Sequence, residues 1–86
     1  MDVYHIVLST LRAKVEHYTS LPFPTQVQDT LRLEDLWLDS LAYTSLLDDL
    51  EAQLGIIPTK LLQGTWYPET LGELVAAYTD ALSAAN

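Results

Sequence analysis

The chain contains no cysteine, and it has only four basic side chains, Arg12, Lys14, Arg32 and Lys60, against twelve carboxylates. The first absence excludes a disulfide framework, a cysteine-ligated metal site and a cysteine nucleophile together. Any thiol used here must be brought in. The second leaves a formal net charge of -8 over 86 residues. Nucleic acid and anionic membranes attract Lys and Arg, so neither is an expected partner; a basic protein surface is the better complement. Long apolar runs are missing too. "MDVYHIVLSTLRAKVEHY" lacks the cationic start and unbroken apolar stretch of a signal peptide, and no segment approaches membrane-spanning length, so a soluble cytoplasmic protein is expected. A chain of this size forms one small domain, residues 1–86, with a single modest core and little room for an enclosed active site.

What is present is helical periodicity. Tyr4, Val7, Leu8, Leu11, Val15 and Tyr18 recur at three-and-four spacing, which predicts a helix from about Asp2 to Tyr18. Pro22 and Pro24 then forbid a continuous helix through "TSLPFPTQVQDTLRLED", whose scattered Leu21, Phe23, Val27, Leu31 and Leu33 suit a long loop packed onto a core. A second helix is predicted from Ser40 to about Leu54, ended by Gly55 and sealed by Pro58, with Tyr43, Leu46, Leu47, Leu50 and Leu54 on one face. "TKLLQG" supports only a short helix or turn ending at Gly64. The last helix has Thr70 as cap, Glu73 as its capping-box partner, and a stripe of Leu71, Leu74, Val75, Tyr78 and Leu82. The expected fold is all-α: a small antiparallel four-helix bundle with three long helices, one short helix and a long loop between helices one and two.

Within this plan Ser40 invites two readings. It is an ordinary N-cap, as serine often is, or it is an attachment point, because the unpaired N–H groups and positive dipole end of a helix stabilise a phosphate esterified there. Asp39 would repel that phosphate, so its expected role is to cap, or to hold a metal or a basic partner. Leu41 projects away from the apolar stripe with Ser45, Asp48 and Ala52, as the apolar centre of a docking face with a charged rim.

The whole segment favours the second reading. "DSL" at a helix start, an apolar helical stripe, "LEAQLGI", a proline, a short turn and a "TLGELV" helix together resemble the acyl carrier protein family over nearly the full chain. The resemblance implies that Ser40 carries 4'-phosphopantetheine, installed from coenzyme A by a separate phosphopantetheinyl transferase, with Asp39 and Leu41 as motif neighbours. It implies a non-enzyme: acyl groups held as thioesters on the arm are presented to partner enzymes, in polyketide, fatty-acid-like or other specialised biosynthesis. The partners implied are the transferase, an acyl- or aminoacyl-loading ligase or acyltransferase, and downstream synthase enzymes, docking on Leu41, Thr44, Ser45, Asp48 and Glu51. The alternative within the class is an aminoacyl or peptidyl carrier loaded by an adenylating ligase. The short tail after the last helix suggests a freestanding protein, although an excised domain of a synthase would look similar, with Met1 favouring the former; a monomer is expected.

Several positions depart from the family pattern. Trp37 stands two before Asp39, where glycine is usual, and would either pack under the preceding loop or stand beside the arm, core packing being the expected role. Ser45 and Ala42 replace frequently acidic or polar positions, and Thr59 and Lys60 follow Pro58 where two acids are common. Trp66 and Tyr67 precede the last helix, with Trp66 expected to anchor its loop to the core. Tyr4, Tyr18, Tyr43 and Tyr78 are expected to pack with their hydroxyls reaching water. His5 and His17 diverge around helix one, and Asp48 and Asp49 diverge on helix two, so no metal site is expected. Two other classes compete. One is an unmodified helical adaptor using the same acidic helix. The other is a hydrolase, which is disfavoured because Ser40 lacks a nucleophile elbow and an evident histidine.

Overall fold

The computed structural model describes residues 2–85, with side chains from 2 to 84. It is all-α: helices α1 (Val3–Thr19), α2 (Ser40–Leu54), α3 (Thr59–Leu62) and α4 (Leu71–Ala85) are packed together, three of them long and one short. No helix among the described residues is long and apolar enough to cross a membrane.

Local signals set the helix ends. Asp2 caps α1, its carboxylate accepting the His5 N–H at 3.0 Å, and Gly55 stops α2 in the left-handed region at φ 78°, its N–H donating to the Glu51 carbonyl. Thr70 Oγ1 accepts the Glu73 N–H at 3.1 Å and faces the Glu73 carboxylate at 3.4 Å. Only the serine or threonine half of a capping box is therefore made at α4, because Glu73 meets the hydroxyl rather than a backbone donor.

The stripes read from the sequence converge on one core. Val7, Leu11 and Val15 of α1 meet Leu46, Leu50 and Leu54 of α2, Leu61 of α3, and Leu71, Leu74 and Tyr78 of α4. Two polar ties fix α1 against α2: Lys14 donates to Ser45 Oγ and pairs with Asp49, and Gln53 donates to Thr10 Oγ1. Ala42 is fully buried, a core position that its small side chain hides from a hydrophobicity pattern. Tyr4 and Tyr18 lie at the boundary. Tyr43 and Tyr78 do not behave as expected: neither hydroxyl reaches water and neither finds a partner.

The α1–α2 connection is more structured than its prolines suggest. A 3-10 turn, Leu33–Leu36, sends Leu33 and Leu36 into the core. The strand-like stretch before it is laced to the entry of α4 by three backbone bonds of 2.9 Å: Leu33 N–H to Glu69, Leu71 N–H to Leu31, and Gly72 N–H to Asp29. Gly72 is required by this contact, since a Cβ there would lie 3.0 Å from the Asp29 Cβ and 3.1 Å from its carbonyl oxygen. Phe23, Val27 and Leu31 pack on the core as expected, whereas Leu21 stays exposed.

Candidate functional site

The 3-10 turn determines how the chain arrives at α2. Its inward leucines pin it to the core, and Trp37 closes it with a left-handed backbone, φ 59° and ψ 31°, while its N–H donates to the Glu34 carbonyl. A left-handed conformation costs a residue with a Cβ roughly 1–2 kcal/mol. Packing does not offset this, because the Trp37 side chain is 73% exposed. The expected core role for Trp37 is thus corrected: the backbone reverses at this residue and turns the indole away from the leucines on either side.

Past Trp37, Leu38 is half-buried and Asp39 is extended. The Asp39 carboxylate accepts the Ala42 N–H at 2.8 Å and its carbonyl accepts the Tyr43 N–H at 2.9 Å. Asp39 is therefore the N-cap of α2 and Ser40 is its first helical residue. The simple N-cap reading of Ser40 is corrected by this geometry. The Ser40 hydroxyl lies exposed over the helix terminus and makes no hydrogen bond among the described residues.

This division of labour predicts different outcomes at two neighbouring positions. Asp39→Ala should lower thermal stability by about 1 kcal/mol, the usual value of a lost cap, while Asp39→Asn, which keeps the accepting oxygen, should leave it within a few tenths. Thermal melts followed by circular dichroism check both.

Ser40 stands at the rim of a groove of about 540 Å³ formed chiefly by Leu38, Tyr43 and Leu47 on one side and Leu61, Leu62 and Tyr67 on the other. The Tyr43 and Tyr67 rings are tilted against each other with centroids 6.3 Å apart. The pattern of α2 alone could not reveal this groove, since half of it comes from α3 and the loop after it. The signal available was the pair of aromatics in "TWYPE". Trp66 meets its expectation, packing on the core with the Lys60 ammonium 3.9 Å above its ring. A second groove of about 520 Å³, between Ile56–Lys60 and Ala77, Ala81 and Ala84, has Lys60 as its one charged wall residue among the described residues, and the Thr59 hydroxyl and Lys60 amine are its nucleophilic groups.

Burial pushes the Tyr43 phenol up to about 12, helped by Tyr67, and burial with the neighbouring Tyr43 and Glu51 pushes Tyr78 higher still. Both are held neutral in the fold, whereas the unfolded chain ionises near pH 10. Their contribution to stability is therefore complete below pH 10 and falls as pH rises from 10 through 12. Alkaline titration should show Tyr43 and Tyr78 phenolate absorbance appearing only together with loss of helical ellipticity.

The remaining predicted site residues divide. Leu41 is 68% exposed, and Thr44, Asp48 and Glu51 also face solvent on α2. Ser45 is placed differently: it is half-buried against α1 and accepts from Lys14 at 2.8 Å. Asp49 is occupied by the same lysine, so the open carboxylates of this face are Asp48 and Glu51. His5 and His17 lie exposed on α1, and neither lines the groove at Ser40. No group of three His, Asp or Glu able to hold a metal occurs among the described residues.

The fold and the site together define a small helical domain that presents a solvent-facing serine at a helix start beside an aromatic-walled groove. No family model matches the chain, and no curated protein or solved structure matches it.

Proposed function

We propose that this chain is a carrier protein, an antiparallel four-helix bundle whose Ser40 is esterified with 4'-phosphopantetheine by a separate transferase. The observation that carries the reading is the separation of roles at the start of α2: Asp39 does the capping, leaving the Ser40 hydroxyl exposed and unbonded at the groove's rim. The resemblance of "DSL" and the segments around it to acyl carrier proteins supplies the identity of the group.

The residues present fit such an arm. Ser40 Oγ is the atom that would be modified, forming a bond to phosphorus as the nucleotide half of coenzyme A leaves and the hydroxyl proton passes to the transferase. The Ala42 N–H is taken by Asp39, so the Ser40 and Leu41 N–H groups are those that would hold the phosphodiester. Asp39 keeps those groups oriented through its cap, and its charge directs the phosphate outward. The groove beyond, with Leu47, Leu61 and Leu62 in its walls, is a surface along which the arm would lie. When bound, the arm supplies a terminal thiol that holds acyl groups as thioesters. The protein's own contribution is an address: Leu41, Thr44, Asp48 and Glu51 offer an apolar centre and acidic rim to basic loading and synthase enzymes.

Incubating the purified chain with coenzyme A, Mg²⁺ and a broad-specificity phosphopantetheinyl transferase should add one phosphopantetheine to the intact mass. If two such transferases add none while circular dichroism shows a folded chain, the carrier reading falls. The same exposed Leu41 and acidic α2 then favour an unmodified adaptor.

A further inference from the structure

Trp37 is the most exposed of the large hydrophobic side chains among the described residues, at 73%, and sits in a backbone conformation that L-residues avoid. Glycine would occupy that conformation without strain. The side chain gives nothing back to the fold: it belongs neither to the core nor to the half-buried shell around it. An exposed aromatic in a backbone conformation that favours glycine is apolar surface open to another molecule.

The surroundings say which kind. Trp37 is three residues from Ser40, which places the two Cα atoms no more than about 11 Å apart. That separation is within the footprint of a protein that brings a reacting group to the Ser40 hydroxyl. Exposed Leu41 follows Ser40 in the chain, and exposed Leu62 and Tyr67 line the groove together with Ser40. Carboxylates flank Trp37 along the chain at Glu34, Asp35 and Asp39, and the cation nearest in sequence, Arg32, is tied to Glu34 at 2.8 Å. A second copy of a chain with net charge -8 would meet this rim with like charge.

We propose that Trp37 is the anchor by which the enzyme that modifies Ser40 grips this chain, entering an apolar socket edged with Lys or Arg. The inference rests on the carrier reading and adds to it a binding determinant outside the acidic face of α2. Tryptophan is enriched among residues that dominate interface energies, and a single such anchor set in a weakly contributing rim is the common pattern.

The test is steady-state kinetics of a phosphopantetheinyl transferase, with coenzyme A and Mg²⁺ saturating, on the wild-type chain, Trp37→Gly and Trp37→Phe. Trp37→Gly should raise KM for the chain about tenfold with kcat within about twofold, and Trp37→Phe should fall between. Its thermal midpoint should equal or exceed that of the wild type, which separates lost grip from lost fold. A wild-type KM in Trp37→Gly overturns the anchor while leaving the carrier reading intact. A fall in kcat at constant KM also overturns it, since Trp37 would then act on the arm or the chemistry. Sedimentation velocity showing a wild-type dimer that Trp37→Gly dissolves would assign the contact to a second copy and overturn it too. Failure of the wild-type chain to be modified at all removes the carrier reading and this inference with it.

Discussion

Ser40→Ala should accept no phosphopantetheine under conditions that load the wild-type chain completely, while its melting curve stays at or slightly above that of the wild type. The loss is expected to be total because the bond is made to the Ser40 oxygen itself and alanine has none. The unchanged stability is the more discriminating half. Ser40 is the first residue of α2, not its cap, and its hydroxyl bonds nothing among the described residues; alanine also has the higher helix propensity, by up to about 0.5 kcal/mol. A drop of about 1 kcal/mol would mean that Ser40 caps in solution and that Asp39 does not.

Leu50→Ala should have the largest effect on the fold, with an expected cost of about 2–5 kcal/mol. Leu50 is fully buried near the middle of α2, and the helices packed around it cannot all close on the space its truncation leaves. A domain of this length has a total stability on the order of 4–13 kcal/mol, so this one change removes a large share of it. Urea denaturation should show a lowered midpoint with an unchanged slope. A cost below about 1 kcal/mol would mean that α2 is not held by this core.

The two predictions draw on features that differ in how plainly the sequence displays them. The bounds of α2 are legible because each has a local cause: Asp39 and Ser40 begin it, Gly55 ends it, and four leucines at helical spacing fix its inner face. The start of α4 is legible through Thr70 and Glu73 in the same way. The 3-10 turn at Leu33–Leu36 is not, since four residues carry no periodicity, and its stability comes from leucines reaching a core assembled by distant segments. Trp37 follows from that turn. Its aromatic character suggests burial, but the left-handed backbone at the turn's end decides its direction, and nothing in the residue type reports a backbone angle.

Ser45 shows a related limit. By helical projection it lies beside Leu41 and Asp48, yet Lys14 reaches across from α1 and claims it together with Asp49. Which face of a helix is free depends on the long side chains of its neighbours. The tyrosines illustrate the same point in the core, where the expectation that a phenol reaches water fails at Tyr43 and Tyr78 because the packed fold buries both hydroxyl ends. The groove at Ser40 was hidden for a further reason: its walls are contributed by residues 38–47 and 61–67, and only the fold sets Tyr67 against Tyr43.

The most direct measurement of the central claim is tandem mass spectrometry of the transferase-treated chain after proteolysis, locating the added group among the five serines, Ser9, Ser20, Ser40, Ser45 and Ser83. The account predicts phosphopantetheine on the peptide containing Ser40 and on that residue alone. The group found on any other residue, or on none, would contradict it.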